Sequence, residues 1–510
     1  MESDIEFLKL GERVAQLECQ GEYVLPDYLN DVKKILAQRA SIDRIETVEG
    51  EQELGVQGTV RIAIAYLDRE DKPSFLEFDT DLDHAFRWDA SAVEGTRLDY
   101  AVDRLNIRLM GPRKISAKAY VTLSLLECKI EAQGLDAQGG EEPEVKTERA
   151  VMTSMDCYCT RGDTVSEELA FLDGAIEDEV RVLWYWTEES AVRMLADGRF
   201  GSDITVYALV ANGEEFPSVY TKSIPFEGVM PEIDQSKARY MQTKLYIEDF
   251  AVKPTPADSG VGIALELTPK LCVTIYSDKE ENVITDGYYK STESVPEYTE
   301  VIYTSLCGAQ DGELAIQPRL EDLTEEGEQI RDVPVAVAEV KNAGAELLDG
   351  ELHIKGNLKV SGMACQINCQ GDVVLSPIKC EVPFDQKVNN SCQFDTKCNL
   401  EAEIGVSECK ILMQGMVPCL DVNMNYTVLG FCENAMQMLT ALKSTDFCFE
   451  KEDSVVTVYY LNENDSLFSV AKTFHTSCVA LARDNSLSAE VFASVDSPLS
   501  SLGVKRLVIK

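Results

Sequence analysis

Histidine and tryptophan are scarce, at 3 residues each in a chain of 510. His84, His353 and His475 lie in separate parts of the chain, which argues against a Ser-His-Asp or Cys-His constellation. Positive charge is also short, with 47 Lys+Arg against 89 Asp+Glu and a net charge of -42. A general nucleic-acid partner is therefore excluded, because binding the phosphate backbone needs a positive footprint. Anionic membrane surfaces are disfavoured for the same reason. No stretch reaches the roughly 18–20 apolar residues of a membrane-crossing helix. The opening Met1, Glu2, Ser3 and Asp4 carry acid where a secretory signal carries base. Synthesis and retention in the cytoplasm are expected.

Motifs that carry chemistry are missing as well. There is no G-x-x-x-x-G-K-[ST] phosphate loop and no G-x-S-x-G elbow. Gly260 and Gly262 lack the third glycine of a dinucleotide site. The tract 78–84 imitates the start of a calcium loop, but His84 stands where that loop needs glycine, and the tract reads as a strand. An enzyme is not expected, nor is a cofactor or a metal.

Cysteine, in contrast, is abundant at 16. Nine fall late in the chain: Cys365, Cys369, Cys380, Cys392, Cys398, Cys409, Cys419, Cys432 and Cys448. No C-x-x-C pair exists, so the two close ligand pairs of a zinc ribbon are absent. In a large chain with no secretory signal, reduced thiols acting as small core hydrophobes are the default. Oxidative cross-linking is the alternative for this cluster. Cys157 and Cys159 share one strand face, a spacing compatible with ligation.

The dominant pattern is alternation. Val56, Val60, Ile62, Ile64 and Tyr66 occupy one parity, which reads as a strand with one buried face. A polar turn at 68–73 leads to a second strand. Comparable strand pairs start near Gly58, Gly201 and Gly356 and end at Phe86, Phe226 and Phe384. A repeat of about 150 residues is too long for a solenoid and suggests three copies of one β domain. Acidic, Gly/Pro-containing tracts at 138–144 and 321–332 are candidate linkers. The expected domains are 1–150, 151–308, a Cys-rich 309–450, and a small module at 452–510.

Two segments break the β pattern. Pro26 and early acids followed by Lys33 and Lys34 predict a short helix at 25–36, with Leu29, Val32 and Leu36 on its apolar face. The last 60 residues predict a β-α-α-β module: a strand at 455–460, a helix capped near Asn464, Asp465 and Ser466, a second helix from Cys478, and a closing strand at 507–509.

The tail resembles the LysM family in its Asn464-Asp465-Ser466-Leu467 turn, its Val470-Ala471 pair, Leu481 with Asn485, and its Leu507-Val508-Ile509 strand. It departs from the family pattern at Asn464, where glycine is usual, and in the long stretch 485–507. The rest resembles the spore-coat-associated SPOCS β domain. The likeness is carried by 25–36, 56–67, and Leu105 to Leu109 running on through Arg113 to Ser116. Such domains followed by LysM are similar to clostridial coat-morphogenesis proteins that interact with a SpoIVA-like morphogenetic ATPase.

The resemblance implies a mainly β fold of three antiparallel sandwich or barrel-like domains plus LysM. It implies a non-enzymatic adaptor made in the mother cell and recruited to the forespore surface. Its partners would be the coat's basement-layer ATPase and other coat proteins. A carbohydrate-binding envelope protein that recognises peptidoglycan or chitin-like polymers is the alternative. The candidate partner- or glycan-binding residues are Asn464, Asp465, Ser466, Leu467, Phe468, Asp484 and Asn485. Phe468 and Phe474 are the aromatics of interest, and helical spacing makes at least one of them core.

Overall fold

The computed structural model describes residues 5–27, 29–87, 93–138, 140–196, 198–213, 216–230, 236–320, 323, 329–367, 373–415, 417–449, 456–488 and 497–509. The chain is mainly β, with two α-helices among these residues and several antiparallel sheets.

The first stretch of chain forms β1 (Ile5–Val24), β2 (Val32–Glu49), β3 (Glu53–Asp68), β4 (Pro73–Arg87), β5 (Val93–Gly111) and β6 (Lys114–Gln133). Its two sheets have the orders β1-β6-β5 and β2-β3-β4. The sheets face each other. Val56 and Val60 of β3 and Leu82 and Phe86 of β4 meet Val121, Leu123 and Leu125 of β6. Each such side chain contributes about 1.5–3 kcal/mol on leaving water.

Next come β7 (Asp136–Gln138), β8 (Glu144–Arg161), β9 (Val165–Asp173), β10 (Val180–Glu189), β11 (Arg193–Met194), β12 (Phe200–Asn212), β13 (Ser218–Gly228), β14 (Ala238–Ala257) and β15 (Gly260–Tyr288). The orders here are β14-β15-β8, with β9 also on β15, and β10-β12 with β11 and β13 on β12. The third stretch holds β16 (Thr292–Ile316), β17 (Gln329–Leu348), β18 (Glu351–Ile367), β19 (Val373–Val388), β20 (Asn399–Gln414) and β21 (Val417–Cys448), ordered β16-β21-β20 and β17-β18-β19. In the first and third stretches the leading strand pairs with the last, as β8 does with β15 in the second, and a central meander forms the facing sheet; β7 instead pairs in parallel with β21. The chain ends in β22 (Thr457–Tyr460), α1 (Leu467–Thr473), α2 (Cys478–Asp484) and β23 (Arg506–Ile509).

Two of the cores shared between stretches are extensive. One gathers Phe7 and Leu8 of β1, Met152 and Met155 of β8, Tyr276 of β15, Tyr303 of β16, and Phe431 and Met438 of β21. The other gathers Ala63 and Ala65 of β3, Trp184 and Trp186 of β10, and Met363 and Cys365 of β18. The second core explains a departure from the sequence pattern. The alternation in β3 predicts one buried face, yet Ala63 and Ala65 on the opposite face are buried too. Their small side chains let neighbouring sheets approach.

The short helix expected at 25–36 does not form. Val32 already begins β2, and just before it the Leu29 amide donates to the Pro26 carbonyl in a turn. The Arg113 guanidinium donates to the carbonyls of Leu25, Pro26 and Leu29 and satisfies that loop. The helical spacing was produced by β-bulges. Register shifts between Val32 and Lys34 and between Ile35 and Ala37 break the alternation. Leu36 and Val32 consequently face different cores.

The expected breaks at 150 and 308 fall inside β8 and β16. The acidic linker tract at 321–332 lies mostly outside the described residues, as does Cys369. The tract 78–84 is part of β4, as its strand reading required. No helix among the described residues is long and apolar enough to cross a membrane.

Candidate functional site in the C-terminal module

The tail folds around Leu467, Phe468, Val470, Ala471, Cys478, Leu481, Leu499, Leu507 and Ile509. Its helices have 7 residues each, too short to persist alone. Caps and packing hold them. The Ser466 hydroxyl accepts from the Ser469 amide at 3.1 Å, and the Ser469 hydroxyl accepts from the Ser466 amide at 2.9 Å. Ser477 caps α2 by accepting from the Ala480 amide at 3.1 Å. β22 and β23 pair in antiparallel register, Val458 opposite Val508 and Tyr460 opposite Arg506.

The structure places each residue expected at the site. Leu467 and Phe468 are buried in the module's core, so neither offers a side chain to a partner. Asp465 accepts from the Tyr459 hydroxyl at 2.9 Å and the Asn462 amide at 2.7 Å, which fixes the turn. Asn485 donates to the carbonyls of Leu481 and Val508 and accepts from the Val508 amide at 2.6 Å, tying α2 to β23. Ser466 is the cap just described. Asp484 is half-buried beside Arg483, and Asn464 is exposed. Phe474 is half-buried against Tyr459. Of this set only Asn464 stands free on the surface.

Sequence reasoning missed the exposed face of the module. Val456, just before β22, and Val458 and Tyr460 within it are 62%, 48% and 69% exposed and share one parity. Leu502 and Val479 are exposed as well. The alternation at 456–460 was the available signal. By itself it implies only a strand.

Sequence reasoning also missed the seat of the module, which long-range contact alone reveals. Tyr288, at the end of β15, donates its hydroxyl to the Thr476 carbonyl at 2.6 Å and sets its ring against Phe468. The Lys472 ammonium meets both Asp286 carboxylate oxygens at 2.7 Å. Burial pushes the Tyr288 phenol far above its ordinary range, so it stays a neutral donor.

A second polar cluster lies where the edge strands β5, β14 and β20 converge. The Lys244 ammonium is 2.6 Å from Asp99 and 2.7 Å from Glu403. Arg97 pairs with Asp99 at 2.8 Å and donates to Gln242 and the Tyr276 hydroxyl. A neighbouring cleft of about 520 Å³ includes Tyr100, Tyr246 and Lys270 in its walls. Burial drives the phenols of Tyr100 and Tyr246 far upward, so they carry no charge there. Every charge named is answered by a neighbour, which makes the cluster a joint between the three stretches.

The histidines lie apart. His353 pairs with Asp385 at 2.8 Å, His475 stacks on Phe449, and His84 sits edge-on to Phe86. Cys365 and Cys409 are buried, which pushes their thiols up to about 12 and makes them poor nucleophiles. The default of reduced thiols does not hold throughout. Cys159 is bonded to Cys272 across β8 and β15, and Cys307 to Cys432 across β16 and β21. No family model, curated protein or solved structure matches this chain.

Proposed function

We propose that this chain is a non-enzymatic adaptor in endospore-coat assembly, built from three copies of one β domain and a LysM-like C-terminal module. The module contacts the basement-layer ATPase, while the β domains engage other coat proteins. The chain acts in the mother cell and collects at the forespore surface. One observation carries this reading: a module whose core takes in Tyr288 of the body, and which Asp286 also ties down, turns an apolar strand face outward. Exposed aromatic and aliphatic residues of this kind act as anchors in protein interfaces. The charge of -42 favours a protein partner with basic surface over a nucleic acid.

The module shares Tyr288 with β15, so the test uses the full chain. Wild type, Tyr460→Ala and Val458→Ser are measured against the coat ATPase and, in parallel, against peptidoglycan and chitin oligomers. ATPase binding that weakens about 10-fold or more in each variant is expected, corresponding to loss of about 1.4 kcal/mol or more. Binding to glycan alone, or ATPase binding indifferent to both substitutions, overturns the reading.

A further inference from the structure

Beyond that reading, the third stretch contains a cluster of three sulfurs. Cys307 comes from β16, Cys432 from β21, and Cys398 from the residue just before β20. Their sulfur atoms all lie within 4.8 Å of one another, and Cys398 Sγ is 3.3 Å from Cys432 Sγ. Cys307 is exposed, and the other two are half-buried.

The cluster is built rather than accidental. β16 has a register shift between Leu306 and Gly308, so Cys307 sits in a bulge. Bulges re-aim side chains and concentrate near functional positions. The loop carrying Cys398 is fixed from three sides. Gln310 donates to the Asn389 carbonyl at 2.8 Å and accepts from the Ser391 amide at 3.0 Å. Asn390 brackets Phe394, accepting from its amide and donating to its carbonyl. Phe394 is itself buried in the core, and the Cys398 amide donates to the Asp395 carbonyl at 3.0 Å.

We propose that Cys307, Cys398 and Cys432 form a binding site for one zinc-class d10 cation, opened by reduction of the Cys307–Cys432 disulfide. Thiolates hold such a cation at about 2.3 Å, which sets neighbouring sulfurs about 3.8 Å apart. Cys398 and Cys432, at 3.3 Å, are within about 0.5 Å of that separation, and reduction frees Cys307, the exposed member on a bulge, to take the third position. Three thiolates select Zn2+ or Cu+ over hard cations. The exposed side of Cys307 leaves a fourth position for water or a partner's ligand.

The chemistry balances. A dithiol reductant attacks the disulfide, supplies two electrons and two protons, and leaves as its own disulfide. The three thiols then give up protons as the cation binds. In the oxidised chain two of the three ligands are consumed by the S–S bond, and the site is closed. The site is thus a metal site under redox control. Local sequence spacing hides it, because the ligands come from three separate strands or loops.

The test uses the full chain, reduced and stripped of metal, titrated with Zn2+ and with Co2+ as the coloured probe. Wild type is compared with Cys398→Ser, which leaves the disulfide partners intact, and with Cys392→Ser, a nearby thiol outside the cluster. One tight equivalent per reduced chain is expected, weakened at least 10-fold in Cys398→Ser, unchanged within about twofold in Cys392→Ser, and lost on reoxidation. Equal binding by wild type and Cys398→Ser, equal loss in both variants, or undiminished binding by the oxidised chain overturns the proposal.

Discussion

Replacing Lys244 by methionine tests the joint between the three stretches. Methionine keeps the apolar stem and removes the charge. Lys244 Nζ lies 2.6 Å from Asp99 and 2.7 Å from Glu403. At an effective dielectric of about 20, each contact is worth about 6 kcal/mol gross. Desolvation of the three groups offsets most of that. What remains is set by the partners left behind. Asp99 still has Arg97 at 2.8 Å, whereas Glu403 keeps the Gln242 amide and, more remotely, the charge of Arg97. The Glu403 side chain is 38% exposed, so water recovers part of its loss. The expected cost is about 3 kcal/mol, the lower end for removing one member of a buried pair. The chain has several separately cored parts, so a single unfolding free energy is ill-defined. Native-state proteolysis is the better assay, because cleavage through fast local opening follows the opening equilibrium. A cost of about 3 kcal/mol raises the cleavage rate about 100-fold. Combining Lys244→Met with Glu403→Gln should then cost less than the sum of the two, since the second change removes the stranded charge. A cleavage rate within about threefold of wild type, or strict additivity, refutes the reasoning.

Two further outcomes are expected. Asn485→Ala removes hydrogen bonds to the carbonyls of Leu481 and Val508 and from the Val508 amide. A local loss of about 2 kcal/mol speeds exchange of the Val508 amide about 30-fold by hydrogen-exchange mass spectrometry, and unchanged exchange contradicts the latch. For Asp99, burial pushes the carboxyl upward, but Lys244 and Arg97 more than offset it and hold it below the ordinary aspartate value. A depressed folded value gives stability that is present above the unfolded value near ~3.9 and lost as pH falls through the folded one. The proteolytic advantage of wild type over Asp99→Asn is therefore large at neutral pH and closes in acid below about pH 4. A gap that persists there contradicts it.

The sequence by itself determined the local conformations. Alternation at Val56, Val60, Ile62 and Ile64 required a strand with a buried face, and β3 is that strand. The paired strands starting near Gly58, Gly201 and Gly356 all lie in the central meanders. The first helix of the tail's strand–helix–helix–strand order was readable because Ser466 is a local cap that acts within three residues. These features depend on near neighbours, so near neighbours report them.

Only the tertiary structure decided the rest. The bulges in β2 imitated helical spacing, and nothing in 25–36 distinguishes two shifted registers from a turn of helix. Burial of Ala63 and Ala65 depends on tryptophans more than a hundred residues away. Lys244 meets Asp99 and Glu403 across sequence gaps that no spacing rule spans. The same holds for Tyr288 beneath the tail module and for the three sulfurs at Cys307, Cys398 and Cys432. Period and capping are properties of a short segment. A joint, a seat or a ligand cluster is set by how separate strands are brought into register, and that is fixed only when the whole chain has packed.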